Sequence, residues 1–449
     1  MGKKNYIVIL GAGESGVGAA LLAQKQGFEV FVSDFGPIAD QYKNDLLQAE
    51  ISFEENGHNE DLILAATEVI KSPGIPEKAP IIKKLIQNNI PILSEIEFAG
   101  RYTNAKMICI TGSNGKSTTT LLTYHILKNA GLNIGLAGNI GKSFARQVAF
   151  ENFDIYVLEI SSFMLDNMYQ FKADIAVLLN ITPDHLDRYD YKMENYSDSK
   201  FRIIQNQAPG DVFIYCADDE ETQKGLLKHQ INAQAFPFSI ENILDNGAFL
   251  QNDQINIKLH HNQESFTMSI KDLALQGKHN IYNSMASGIV AKVLELRNES
   301  IRESMASFTN IEHRLEHVAR ISGIDFINDS KATNVNSTWY ALESMPSDVV
   351  LILGGVDKGN DYNMLKDLVK SKVKAIVCLG KDNKRIHEAF EDDVEVIVNT
   401  FSADEAVQMA YHLAAKGDTV LLSPACASFD LFKNYEDRGN QFKKAVKEL

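Results

Sequence analysis

An apolar run from Met107 to Ile110 is followed by two glycines, Gly112 and Gly115, and then by Lys116, Ser117 and Thr118. A helical pattern follows, with Leu121, Leu122, Tyr124 and Ile126, and it closes at Gly131. That order dictates strand, tight loop and helix N-terminus, the geometry in which backbone N–H groups converge on a phosphate. A lysine in the first turn of a helix opposes the macrodipole, so Lys116 is well placed only where an anion compensates it. With nucleotide phosphates bound, Lys116 contacts their oxygens, and the hydroxyl of Ser117 or Thr118 can ligate Mg²⁺. The loop is contracted: the pattern G-x-x-x-x-G-K-[ST] has glycine where this chain has Ile110, and its first glycine is Gly112. Taken alone, the stretch also fits an ordinary strand-to-helix turn with a solvated lysine.

The rest of the chain narrows these readings. At 449 residues, 45% of them hydrophobic, it can bury sizeable cores in about three domains. A formal charge of −15 argues against nucleic acid or an anionic membrane as a general partner, so anionic ligands must be gathered by local basic residues. Cys109, Cys216, Cys378 and Cys426 show no CxxC spacing, and Cys109 and Cys378 lie in apolar strand-like runs where burial is the default. The apolar run Tyr6 to Leu10 is too short for a secretory core, and no stretch is long enough to span a bilayer. A cytoplasmic protein is expected.

Residues 1–96 alternate strand and helix, with strands expected at Tyr6–Leu10, Glu29–Ser33, Val69–Ser72 and Pro91–Ser94. The first turn, Gly11-Ala-Gly-Glu-Ser-Gly16, and Asp34 at the end of the second strand match the dinucleotide fingerprint. This favours a nucleotide or nucleotide-sugar site, although tight strand-to-helix packing alone also selects such glycines. Glu14 inside the loop would repel a pyrophosphate. Residues 97–310 hold the phosphate loop, with further strands expected at Asn133–Ala137, Asp154–Leu158, Ile175–Asn180 and Val212–Tyr215. Period-two alternation between residues 248 and 275 predicts antiparallel hairpins. Residues 311–449 alternate again, at Ile324–Ile327, Val349–Leu353, Ala375–Leu379, Val394–Val398 and Thr419–Leu422. The expected fold is α/β in three domains: Rossmann-like, then a P-loop ATPase domain with a mostly parallel sheet and a small β attachment, then Rossmann-like again.

Several constellations carry chemistry. Asp154-Ile-Tyr-Val-Leu-Glu159 is an apolar strand ending in a carboxylate, where nucleotide-hydrolysing folds hold Mg²⁺. After the next strand come Asp184, His185 and Asp187, which could ligate a metal or orient a substrate. Lys200 reads locally as a solvated helix lysine, and Gly277 to Asn283 as a helix start capped by Asn280 or a nucleotide contact. Three loops in the last third, Asn328–Asn334, Gly354–Gly359 and Ser423–Asp430, put small residues, hydroxyls and Lys331 or Lys358 where ligands bind an open α/β sheet.

On these residues the chain resembles the Mur ligase family along essentially its whole length, and within it the branch that adds D-glutamate. Thr111-Gly-Ser-Asn-Gly-Lys-Ser-Thr118 is similar to the shortened phosphate loop that Mur ligases share with folylpolyglutamate synthetases. Leu158-Glu-Ile-Ser-Ser-Phe163, Asp184-His-Leu-Asp-Arg-Tyr189, His313-Arg314, Asn328–Asn334, Ser423–Ser428 and Arg438-Gly439 carry the closer match. The resemblance implies an ATP-dependent, monomeric ligase that joins D-glutamate to UDP-N-acetylmuramoyl-L-alanine through an acyl phosphate. ATP would lie on Gly112, Ser113, Asn114, Gly115, Lys116, Ser117 and Thr118, with Asn280, Asn283, Arg314, Asp329 and Lys331. One Mg²⁺ would be held by Ser117 and Glu159, a second by His185 and by Lys200 after CO₂ converts it to a carbamate. The uridine nucleotide would meet Ser15, Asp34, Ser72, Gly74 and Asn139; D-glutamate would meet Thr333, Lys358, Ser428, Phe429 and Tyr435. One departure stands out: the family's Ser-Ser-Phe-Gln-Leu has Met164 in place of the glutamine. Two other classes compete on the sequence, a pyridine-nucleotide oxidoreductase suggested by Gly11–Gly16 with Asp34, and a regulatory nucleotide-binding protein without ligase chemistry.

Overall fold

The computed structural model describes residues 5–140, 142–260, 264–309, 312–345, 348–357 and 359–449. They divide into two compact units: residues up to 273 with 281–307, and residues 274–280 with those from 308 onward.

The first unit holds two sheets. Strands β1 (Tyr6–Leu10), β2 (Glu29–Ser33), β3 (Ser52–Glu54), β4 (Glu68–Lys71) and β5 (Ile92–Leu93) pair in parallel, in the order β3-β2-β1-β4-β5. Every residue of β1 is buried, as expected of a central parallel strand covered on both faces. The chain reverses its direction of travel across the sheet between β1 and β4, which makes the crevice beyond their carboxyl ends the expected ligand position. There the Ser72 amide donates to the Leu10 carbonyl (2.9 Å) and its hydroxyl to the Gly11 carbonyl (3.4 Å).

The second sheet comprises β6 (Lys106–Thr111), β7 (Ile134–Gly138), β8 (Ile155–Glu159), β9 (Ile175–Leu178), β10 (Val212–Cys216), β11 (Gln234–Ser239), β12 (Gly247–Gln251), β13 (Gln254–Lys258) and β14 (Phe266–Ser269). Its order is β14-β13-β12-β11-β10-β9-β6-β8-β7, parallel except for the terminal hairpins of β12, β13 and β14. Asn252 and Asp253 join β12 to β13 with φ of 50° and 57°, the two-residue turn whose twist suits a hairpin. Register Ile110↔Glu159 brings the phosphate-binding turn and Glu159 to the same sheet edge. Both sheets share a core: Val17, Ala20 and Leu22 of helix Glu14–Lys25 pack in one cluster with Phe144, Tyr156, Leu158 and Phe213.

The second unit holds β15 (Glu316–Ile321), β16 (Ile324–Asn328), β17 (Val349–Leu353), β18 (Val373–Leu379), β19 (Ile397–Thr400) and β20 (Thr419–Leu422), in the order β15-β16-β20-β17-β18-β19. All pair in parallel except β15 with β16. Three strands escape a hydrophobic-pattern reading: β3 has only three residues, β11 carries Pro237, and β15 is an edge strand with Glu316, His317 and Arg320. β19 starts three residues later than expected, because Val394 is drawn into the core beneath it. Among the described residues no helix is long and apolar enough to cross a membrane, and all four cysteines are buried and unbridged.

Candidate active site

The turn at residues 112–115 is shaped by what presses on it. Gly115 has φ of 81°, and a Cβ there would stand 2.5 Å from Asn283 Oδ1, so only glycine fits. The same Asn283 Oδ1 accepts from Thr119 Oγ1 (3.0 Å). Lys116 resolves its conflict with the helix dipole by donating back to the carbonyls of Gly112 (2.7 Å) and Ser113 (2.8 Å). Ser113 Oγ donates to the Thr182 carbonyl (2.8 Å), and the Asn114 amide donates to Asn180 Oδ1 (2.8 Å). These bonds pin the turn to the loop that carries Asp184 and His185. Thr118 is buried while Ser117 is partly open, which makes Ser117 the accessible hydroxyl.

Lys200 is not the solvated lysine that its neighbours suggest. Helix Met193–Phe201 turns it inward to 1% exposure, where Nζ donates to the Gly112 carbonyl (2.9 Å) and lies 4.6 Å from the Tyr196 ring centroid. Burial, and after it the charge of Lys116, pull its pKa well below the ordinary lysine value and favour the neutral amine. Tyr196 was not singled out from the sequence, yet its hydroxyl lies 3.1 Å from Ser113 Oγ. Its four-residue spacing from Lys200 on one helix face is the signal that could have found it.

Glu159 is 1% exposed. Its Oε1 accepts from Asn139 Nδ2 (2.7 Å), while Oε2 has no hydrogen-bond partner. Asn139, expected against the uridine nucleotide, is thus engaged with this carboxylate, and its amide also donates to the Glu159 carbonyl (2.8 Å). A buried carboxylate oxygen without a donor, on the same sheet edge as the turn that presents Ser117, suits a hard cation. Among the described residues no group of three or more His, Cys, Asp or Glu side chains could hold a metal. A cation here would therefore depend on the Ser117 hydroxyl as well as on Glu159.

His185 sits in the left-handed region (φ 52°), 3.6 Å from Asp184 and edge-on to Phe163 with centroids 5.1 Å apart. Asp187 lies exposed in the same loop. Arg188 covers the Phe163 ring (4.6 Å) and donates to the Gly74 carbonyl (2.9 Å). Met164 is 4% exposed and belongs to the shared core, so the family's glutamine position is filled here by an apolar packing residue. Ser15, Asp34, Ser72 and Gly74 all lie at the carboxyl edge of the first sheet. Both Asp34 oxygens accept from the backbone, at Ala12 (2.7 Å) and Gly36 (2.8 Å), so the residue closes the glycine turn. Glu14 faces Ser143 and Arg146 at 3.0 and 3.4 Å, and bridges the two sheets.

In the second unit, Asp329 is fully buried between Ser423 Oγ (2.9 Å) and the Leu315 amide (3.2 Å). Burial pushes its carboxyl up to about 6, with the nearby Arg314 charge opposing the rise. Asn280 donates to the Gln276 carbonyl (2.8 Å). Lys331 donates to the Tyr435 hydroxyl (3.1 Å), and the Thr333 amide donates to the Lys331 carbonyl (3.0 Å). Ser428 is buried and Phe429 exposed; Lys358 lies outside the described residues. Arg438, known from the sequence only as part of a motif, is a buried strut: it donates to Ser330 Oγ (3.0 Å), the Ser330 carbonyl (2.9 Å) and the Cys426 carbonyl (3.2 Å). With a longer bond to the Gly354 carbonyl (3.5 Å), it joins all three loops that the sequence marks as ligand-binding.

Comparison with known proteins adds to this geometry. Residues 5–94 match the Mur ligase MurD-like N-terminal domain, 110–291 the Mur ligase middle domain, and 313–426 the Mur ligase glutamate ligase domain. The chain is 56% identical over 446 residues to a UDP-N-acetylmuramoylalanine–D-glutamate ligase of Porphyromonas gingivalis, covering 99% of each. It is 57% identical over 449 residues to the protein of that name from Christiangramia forsetii, covering 100% of each. Among solved structures it is similar to a UDP-N-acetylmuramate-alanine ligase of Thermotoga maritima (TM-score 0.62, 17% identity, 99% and 100% of the two chains). It is also similar to a MurF ligase of T. maritima in complex with ADP (TM-score 0.61, 16% identity, 93% and 95%). At such identities the structural likeness speaks for the fold.

Proposed function

The chain belongs to the Mur ligase family, and from that membership we propose that it is the ATP-dependent ligase joining D-glutamate to UDP-N-acetylmuramoyl-L-alanine in peptidoglycan precursor synthesis. The observation that carries the reading is the meeting of Lys116 and the buried Lys200 amine on the carbonyl of Gly112, in a turn that shares its sheet edge with Glu159. The full-length likeness to ligases named for this reaction supports the choice of amino acid.

ATP is assigned to Gly112–Thr118, Asn280, Asn283, Arg314, Asp329 and Lys331. Lys116 exchanges its two carbonyl acceptors for phosphate oxygens, so its charge is used where negative charge moves during transfer. Ser117 and Glu159 would hold one Mg²⁺ and His185 with Lys200 a second; when bound, these ions draw charge off the phosphate oxygens. Lys200 can serve only after modification. Its neutral amine adds to CO₂ and loses a proton, which turns a repelled cation into an anionic oxygen ligand. The γ-phosphoryl passes to the carboxylate of the L-alanine, releasing ADP and giving an acyl phosphate with a good leaving group. The amine of D-glutamate, assigned to Thr333, Lys358, Ser428, Phe429 and Tyr435, attacks that carbonyl. The tetrahedral intermediate then expels phosphate and leaves an amide. The uridine nucleotide is assigned to Ser15, Asp34, Ser72, Gly74 and Asn139.

Phosphate release from ATP, measured with UDP-N-acetylmuramoyl-L-alanine present, tests this reading. Sustained release should require D-glutamate and stop without it. Release indifferent to D-glutamate would refute the ligase assignment, and oxidation of NADH would revive the oxidoreductase reading.

A further inference from the structure

His185 and Lys200, the two residues assigned to the second cation, sit on different elements. Lys200 lies near the end of helix Met193–Phe201. His185 heads the single turn Leu186–Tyr189, whose Arg188 amide donates to the His185 carbonyl (2.9 Å). One side chain bonds to both elements. Asp166, at the end of the short helix Ser162–Leu165, accepts from Ser199 Oγ through Oδ1 (2.6 Å) and from the Tyr189 hydroxyl through Oδ2 (2.9 Å). Ser199 is the residue before Lys200, Tyr189 closes the turn that His185 heads, and both are buried. The two hydroxyls also lie 3.3 Å from each other, so the three side chains form a closed triangle.

The triangle is braced on either side. Arg202, just past the helix, donates to the carbonyls of Leu165 (2.7 Å) and Met168, which flank Asp166 in the chain. Tyr189 lies parallel to Phe163, with centroids 6.2 Å and planes 9° apart, and the His185 ring meets Phe163 edge-on. The Lys200 amine itself donates to the Gly112 carbonyl, so the triangle acts on it through the helix backbone. Hydrogen bonds to a carboxylate are stronger than neutral ones, and losing the acceptor leaves buried hydroxyls unmet. A side chain that ties two elements by such bonds sets their separation, and a hard cation accepts its oxygen ligands over a narrow range of distances. We propose that Asp166 is a positioning residue, holding the Lys200 helix and the His185 turn at the separation a shared cation requires and so supporting the Lys200 carbamate. The inference rests on the carbamate assigned above, and it gives a task to a carboxylate that no sequence motif marks.

A carboxylate that served the fold alone would change the melting temperature and leave the carbamate equilibrium untouched. Carbon-13 NMR separates the two roles, because it reads the carbamate without turnover. The full chain, with Mg²⁺ present, is titrated with ¹³C-bicarbonate at fixed pH, and the intensity of the carbamate carbon gives a half-saturating concentration. Lys200→Ala identifies the resonance by its loss. Half-saturation should rise about tenfold in Asp166→Ala and by a smaller factor in Asp166→Asn, which keeps the shape with a neutral acceptor. Where Asp166→Ala does not fold, Asp166→Asn decides alone. Asp198→Ala breaks the contacts of the same helix with Lys228 (2.7 Å) and His229 (3.0 Å), and it should leave half-saturation unchanged. An unchanged value in either folded Asp166 variant, or an equal rise in Asp198→Ala, would overturn the role. A parent chain without the resonance would remove the carbamate and this role together. The ligase reading would still stand or fall on D-glutamate-dependent phosphate release.

Discussion

A buried amine with a single carbonyl acceptor is costly as a cation, and Lys200 has no carboxylate among its hydrogen-bond acceptors to offset that cost. Its neutral form is the one that reacts with CO₂. Lys200→Ala should therefore abolish turnover, and added acetate should restore part of it by supplying the missing oxygen ligand; failure of both acetate and high bicarbonate to alter any variant would remove the carbamate from the scheme. Lys116→Ala should also abolish phosphate release while shifting the melting temperature by less than about 4 °C, because the two carbonyls that Lys116 meets belong to its own turn. A folded Lys116→Ala protein with near-normal activity would sink that role. Lys116 and Glu159 were legible in the sequence because each closes or opens an element whose period is plain. Lys200 was not: its helix buries Tyr196, Ser197, Ser199 and Phe201 beside it, and a buried face built largely of polar side chains leaves no apolar stripe to read.

At the scale of elements, helix Glu95–Ala99 meets helix Phe144–Phe150 through one buried carboxyl. Glu95 accepts from Ser143 Oγ and from the Ala145 amide (2.9 Å), and its other oxygen has no partner. Burial pushes its pKa up to about 7. The unfolded chain has a value near 4.5, so the folded state binds the proton more tightly between these values. Stability should therefore fall as pH rises from about 4.5 to about 7, by up to about 3 kcal/mol. Denaturant titrations across that window should show a clearly flatter slope for Glu95→Gln; identical slopes would contradict the assignment. Arg438 poses the opposite case, a charge kept because four acceptors surround it. Arg438→Ala should cost at least about 3 kcal/mol by leaving buried carbonyls unmet. The single tryptophan, Trp339, lies in the same unit and reports its unfolding by fluorescence; an unchanged transition would refute the strut. Continuous apolar runs such as β1 and β17 were readable in advance. The edge strand β15 was not, since it is held by backbone pairing to β16 and keeps charged side chains outward.

For the whole molecule, the three-sheet organisation was visible in the alternation of strand and helix, and the antiparallel appendage in its change of period. The sequence alone left open whether Gly11–Gly16 with Asp34 served a dinucleotide; the structure commits both Asp34 oxygens to the turn itself. With a formal charge of −15, the chain must draw two anionic nucleotides and a dicarboxylate amino acid to local lysines and backbone amides. The central claim is that this machinery transfers phosphate to a carboxylate before any amide forms. It is tested most directly by labelling both oxygens of the alanyl carboxylate of UDP-N-acetylmuramoyl-L-alanine with ¹⁸O and analysing the inorganic phosphate after one turnover with ATP and D-glutamate. The account predicts one labelled oxygen in each phosphate released, and phosphate free of label would contradict it.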